Sequence, residues 1–216
     1  MRSIVAGGLL GLALLGSAIA SPTAAASTTV VSFTGESGTL AGGSGQNARV
    51  AAEARRTGNR GLVLSASGAP SSVRWGVPSG YRYAAVRLWV RVLSRGAGES
   101  VDLITIQNTQ GTAHFDLFVN GRNQRLMWDL HRSNADSTST ALVYGRWYRV
   151  EALVEFDGSD HTAQVRVDGV DQGTIRSSGR TSAVRQVIVG SATAKTHTQH
   201  YDDITVRLGL PRAWIS

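Results

Sequence analysis

The 216-residue chain has no cysteine, which excludes disulfides, a thiolate nucleophile and any cysteine-built zinc site. Proline is scarce at 4 residues, and charged residues make up only 17%. A disordered chain is richer in charge and poorer in apolar residues than this one, which is 42% hydrophobic. The 25 glycines follow no three-residue period, so a collagen-like helix is excluded. Lysine occurs once, as Lys195, and the formal charge of +7 is therefore carried almost wholly by arginine. Those arginines are scattered and form no run. With no recognition-helix pattern and no RNA-binding aromatic motif, no nucleic-acid partner is expected.

Only one stretch is long and apolar. Arg2 is followed by an uncharged run from Ile4 to Ala20, with Ala18-Ile19-Ala20 or Ala24-Ala25-Ala26 as a small-residue cleavage site. The run is shorter than the roughly 20 residues that a bilayer span needs, and Gly7, Gly8, Gly11 and Gly16 weaken it as a helix. Residues 1–26 are expected to be a signal peptide, so the mature protein is expected to be secreted and to have no membrane span. Cleavage after Ala26 leaves 190 residues with a net charge of +6. That is enough chain to hold itself together by core burial alone.

Beyond Ser27 the pattern has a period of two. In Ala84 to Leu93, Val86, Leu88, Val90 and Val92 point one way, and Arg87, Trp89 and Arg91 the other. His114 to Val119 sets Phe115, Leu117 and Val119 against His114, Asp116 and Phe118. Gln124 to His131 sets Leu126, Trp128 and Leu130 against Arg125, Met127, Asp129 and His131. Arg149 to Phe156 and Thr162 to Val167 alternate likewise. Further strands are expected at Val30 to Phe33, Arg49 to Ala54, Gly61 to Ser65, Ser100 to Asn108, Val184 to Gly190 and Tyr201 to Leu208. Ala48 to Arg56 has the alternative of a short helix. Asn120-Gly121, Asp157-Gly158 and Asp168-Gly169 supply tight turns. Ser133 to Thr140 and Ala192 to Gln199 read as polar loops. Trp75, Trp128 and Trp147 are expected in the core. The expected fold is all-β: an antiparallel β-sandwich, a jelly roll of two curved sheets, over residues 27–208 with a tail at 209–216.

Several segments carry a resemblance. Trp147-Tyr148-Arg149-Val150-Glu151 opens a strand and Val165-Arg166-Val167-Asp168-Gly169 makes a hairpin. Val187-Ile188-Val189-Gly190 then precedes Tyr201-Asp202-Asp203-Ile204-Thr205-Val206. With the opening Phe33-Thr34-Gly35-Glu36-Ser37-Gly38, this ordered set resembles the concanavalin A-like lectin/glucanase superfamily, and particularly its laminin G-like exported bacterial members. The resemblance implies a concave face that often accommodates carbohydrate. The superfamily holds lectins, glucanases, polysaccharide lyases and adhesion modules, so the site must be argued from residues.

Non-catalytic binding of a polysaccharide or cell-surface glycan fits best. Sugar rings stack on aromatic faces, and their hydroxyls pair with Arg, Asp and His. Trp89 and Phe118 are the expected stacking residues, with Arg91, His114, Asp116, Arg125 and Asp129 as polar contacts, if their strands are adjacent. The alternatives are a polysaccharide-cleaving enzyme and a purely structural or adhesive module. A retaining hydrolase needs two carboxyl groups about 5–5.5 Å apart. Glu151 and Glu155 share a strand face, but Leu153 stands where glucanases of the superfamily carry a central aspartate. A lyase needs a cation and a base, for which Arg87, Arg91, His114, Arg125, His131 and Tyr148 are candidates. In related jelly rolls the first and last strands hold a structural calcium, and the resemblance places Glu36 with Asp202 or Asp203 in that role.

Overall fold

The computed structural model describes residues 28–209 apart from 79, 131–133, 157–158 and 180–181. The expected signal peptide, His131, the Asp157-Gly158 turn and residues 210–216 of the expected tail lie outside the described residues. The strands are β1 (Thr28–Phe33), β2 (Ser44–Gln46), β3 (Ala48–Ala51), β4 (Gly61–Gly76), β5 (Tyr83–Arg95), β6 (Val101–Asn108) and β7 (Ala113–Val119). After them come β8 (Arg125–Leu130), β9 (Asn134–Ala141), β10 (Tyr148–Glu155), β11 (Asp160–Val167), β12 (Val170–Ser178) and β13 (Val184–Leu208). The 48–56 segment is both things in turn, β3 and then a single 3-10 turn at Ala52–Ala54.

All pairings are antiparallel, in the order β12-β11-β10-β5-β13-β6-β7-β8-β9. Two long strands turn this ribbon into a sandwich. The first part of β13 (Val184 to Val189) lies between β4 and β6; the part from His197 lies between β4 and β5 as far as Tyr201, and from Ile204 between β1 and β5. Between them β13 bends from one layer into the other, and β4 bends with it. At the hinge Gly190 has φ 88°, and a Cβ there would collide with the Leu64 side chain and the Ser71 carbonyl. Only glycine meets both conditions. Curling brings β11 and β12 against β8 and β9, so the layers meet at the far edge. The jelly-roll sandwich expected from the sequence is the fold observed.

One core fills the interior, drawn from alternate positions of every main strand: Leu88, Val90 and Val92, Phe115, Leu117 and Val119, Leu126 and Trp128, Val150 to Phe156, Val187 and Val189. Each fully buried Val, Leu or Phe contributes roughly 1.5–3 kcal/mol relative to exposure, which sets the facing of each strand. Trp75 and Trp128 are buried as expected, but Trp147 is half-buried with the Arg91 guanidinium over its ring. Two expected loops are strands. Ser133 to Thr140 lies mostly in β9, and Ala192 to Gln199 is the bent middle of β13. Low apolar content hid both, since alternation is visible in a sequence only where apolar residues mark one face.

Candidate functional site

The outward face of the layer formed by β6, β7 and β8 holds a hollow of about 460 Å³. Its floor is Asp102 and Thr105 on β6, Asp116 and Phe118 on β7, and Asp129 on β8; the β13 bend adds Lys195 as a wall. Register explains the grouping. Thr105 is opposite Asp116, Asp116 is opposite Asp129, and Asp102 is opposite Phe118. The Thr105 hydroxyl donates to Asp116 Oδ1 at 2.6 Å. Asp102 is fixed from behind: its N–H donates to Ser191 Oγ at 2.9 Å, and Gln199 Nε2 donates to its carbonyl at 3.1 Å. Tyr201, fully buried, donates in turn to Gln199 Oε1 at 3.0 Å.

Burial and, secondarily, the charge of Asp116 push the Asp102 carboxyl up to about 6, while Lys195 pulls the other way. Three carboxyl groups on adjacent strands beside one lysine make this face acidic. Asp116 and Asp129 are directly opposite across the two strands, which sets two carboxyl groups side by side on the floor of the hollow.

The hollow gathers Asp116, Phe118 and Asp129 from the seven expected binding residues; the other four lie elsewhere. Trp89 and Arg91 are on β5, separated from β7 by β13 and β6, so the strands are not adjacent, and Trp89 and Phe118 line different hollows. Arg91 Nη2 donates to the Glu53 carbonyl at 2.9 Å and lies 3.0 Å from His200 Nδ1, tying down the 3-10 turn. Burial, and then the Arg91 charge, holds the His200 imidazole down at about 4. His114 is turned inward by a β-bulge: the register shifts between Ile106 and Gln107, and its ring packs 5.3 Å from Phe156 and 6.3 Å from His161. Burial holds its imidazole below the usual range. Arg125 is exposed at the start of β8 and donates to the Thr138 carbonyl.

A second bulge, between Asp102 and Ile104, explains what the sequence pattern missed. Asp102 and Thr105 are three positions apart and would face opposite ways on an unbroken strand; the bulge puts both on the groove side. Lys195 was hidden in a segment that reads as a loop.

The expected hydrolase pair does not converge. β10 pairs with β5 without a register shift from Tyr148 to Glu155, so Glu151 and Glu155 stay about 13 Å apart along a straight strand. Glu151 is 3.7 Å from Arg149 Nη2, and Glu155 accepts from the Thr162 hydroxyl at 3.3 Å. The lyase set is equally dispersed. Tyr148 is buried, and its hydroxyl oxygen accepts the Val143 N–H at 2.9 Å.

The carboxylates expected to hold calcium anchor two ends of one loop. Glu36 accepts from the Asn59 N–H (2.7 Å), Asn59 Nδ2 (2.9 Å) and the Arg60 N–H (3.4 Å), which keeps its carboxyl below the usual range. Asp202 Oδ2 accepts from the Arg56 and Thr57 N–H groups at 2.9 and 3.1 Å, and Asp203 faces the Arg56 guanidinium at 3.6 Å. Among the described residues no group of three or more His, Asp or Glu is placed to hold a metal ion.

No protein-family model and no curated protein sequence matches the chain. Solved structures do match its fold. A cellulose-induced protein aligns with TM-score 0.63 and 15% identity, covering 82% of this chain and 96% of that one. An alginate lyase from Pseudomonas aeruginosa aligns with TM-score 0.54 and 12% identity, covering 70% and 84%. A sialidase aligns with TM-score 0.55 and 12% identity over 74% of this chain, which spans only 16% of the sialidase. At these identities the likeness is one of fold.

Proposed function

We propose that this domain binds carbohydrate without cleaving it, holding a neutral glycan in the acidic groove between β6, β7, β8 and the β13 bend. The observation that carries the reading is the placement of Phe118 on a floor with Asp102, Asp116 and Asp129. A half-buried phenyl ring gives a sugar ring an apolar face to lie on, and carboxylate oxygens accept from its hydroxyls. Charge also selects among glycans. An acidic floor repels uronate or sulfate groups, so the ligand of this groove is uncharged. Fold neighbours that include an alginate lyase and a cellulose-induced protein support a carbohydrate role in general terms.

The test is a titration of neutral oligosaccharides, followed by calorimetry, against the wild type and Phe118→Ala. Binding that falls at least tenfold in the variant supports the groove; equal binding refutes it.

One observation favours a second reading. Asp102 keeps its proton to about pH 6 beside Asp116, as a general acid beside a carboxylate would. Release of reducing ends from a polysaccharide that disappears in Asp102→Asn would make the domain a hydrolase; binding with no product release supports the lectin-like reading.

A further inference from the structure

The opposite outward face, on the layer of β5, β10, β11 and the C-terminal half of β13, is built from different chemistry. Arg87 on β5 and Arg166 on β11 both lie opposite Glu151, and Arg149 on β10 lies opposite Trp89. With Arg207 on β13, four guanidinium groups face outward on a layer that also carries Glu151 and Glu155 on β10 and Asp171 opposite Arg166. Beside them lies a hollow of about 280 Å³, lined by Ser32, Thr34, Arg87, Trp89, Arg149 and Thr205. Asp203, the acid at its rim, already meets Arg56 and the Thr57 hydroxyl. The Arg56 guanidinium sits 3.4 Å over the Trp89 ring and holds the indole in place.

We propose that this hollow is a second ligand site, independent of the acidic groove, that takes an acidic polysaccharide through its sulfate or carboxylate groups. The chemistry matches on three counts. Guanidinium groups pair with oxyanions by charge-assisted hydrogen bonds, often two at a time. The Ser32, Thr34 and Thr205 hydroxyls suit the neighbouring sugar hydroxyls. Guanidinium groups spread over neighbouring strands fit a polymer whose charges repeat. Single-stranded nucleic acid is the poorer match, because it needs an open aromatic face for base stacking and Arg56 covers one face of Trp89.

The experiment measures the affinity of the folded protein for a sulfated oligosaccharide and for its desulfated counterpart, at several salt concentrations. We expect binding of the sulfated form only, weakening as salt rises. Arg87→Ser with Arg149→Ser is expected to lower that affinity about tenfold or more. Arg122→Ser with Arg185→Ser, which removes two exposed arginines outside this face, is expected to change it less than about twofold. Glu151→Gln leaves the fold's apolar contacts intact and is expected to tighten binding several-fold by removing the competing carboxylate. Equal losses in the two double variants would overturn the proposal, since binding would then follow net charge alone. Unchanged affinity in Glu151→Gln, or equal affinity for single-stranded DNA of the same charge, would also overturn it. Phe118→Ala in the other groove is expected to leave this binding unaltered, which separates the two sites.

Discussion

The two outward faces of the sandwich share one core and one strand alternation, yet the hollows on them are lined by opposite charge. The hollow on β6, β7 and β8 is lined by Asp102, Asp116 and Asp129 with Lys195. The hollow on the other layer is lined by Arg87 and Arg149 with Asp203, which meets Arg56. A sheet face that only needs to be wet tolerates any mixture of charges. The difference in lining between the two hollows is therefore informative where the whole-chain charge of +7 is not. A potential is local at the ionic strength of a cell, with a screening length of about 8 Å, so each face meets ligands as its own surface.

The largest expected effect tests the acidic face. Phe118→Ala combined with Asp116→Asn is expected to weaken neutral-glycan binding at least about a hundredfold, or about 3 kcal/mol. Calorimetry checks this, and the sulfated-ligand affinity of the same variant should not move.

Next comes stability. The Asp102 carboxyl rises from 3.8 to about 6 on folding, chiefly through burial. At about 1.4 kcal/mol per pH unit the shift is worth roughly 3 kcal/mol. The sign follows from proton binding. Between pH 4 and 6 the unfolded chain loses this proton while the folded one keeps it, so stability falls as pH rises through that window. Asp102→Asn is expected to raise stability by about 2–3 kcal/mol at pH 7.5 and to leave it nearly unchanged below pH 4. Urea melts at the two pH values measure both.

Smaller effects probe the arginine face. Arg91→Ala loses the hydrogen bond to the Glu53 carbonyl and the guanidinium over Trp147. It is expected to cost about 1–2 kcal/mol of stability and to leave neutral-glycan affinity within about twofold, as thermal melts and the same titration report. Smallest of all is calcium. The carboxylates of Glu36 and Asp202 are engaged by backbone N–H groups at the seam between the faces. Adding calcium or a chelator is expected to move the melting temperature by no more than about 1 °C. A larger upward shift would show a cation stabilising the native state there.

Much of the fold was legible in the sequence because period-two alternation is long and clean in β5, β7, β8 and β10. The Asp168-Gly169 turn was legible for the same kind of reason: both residues have positive φ, at 51° and 84°, as their types suggest. The site was only half legible. Asp116, Phe118 and Asp129 could be placed on one outward surface because they lie on unbroken stretches of alternation. Asp102 was missed and His114 misplaced because each sits beside a β-bulge, and one extra residue reverses the facing of what lies beyond it. Trp89 and Arg91 do face away from the core, as expected, but facing does not tell which layer a strand joins. That depends on β13 passing between β5 and β6, a long-range pairing with no local signature.

Chemical-shift mapping of backbone amides during titration with a neutral oligosaccharide tests the central claim most directly. The account predicts shifts concentrated at Asp102, Asp116, Phe118 and Asp129, with the amides of Arg87, Trp89 and Arg149 unmoved. Shifts confined to the arginine face, or none for any neutral glycan, would contradict it.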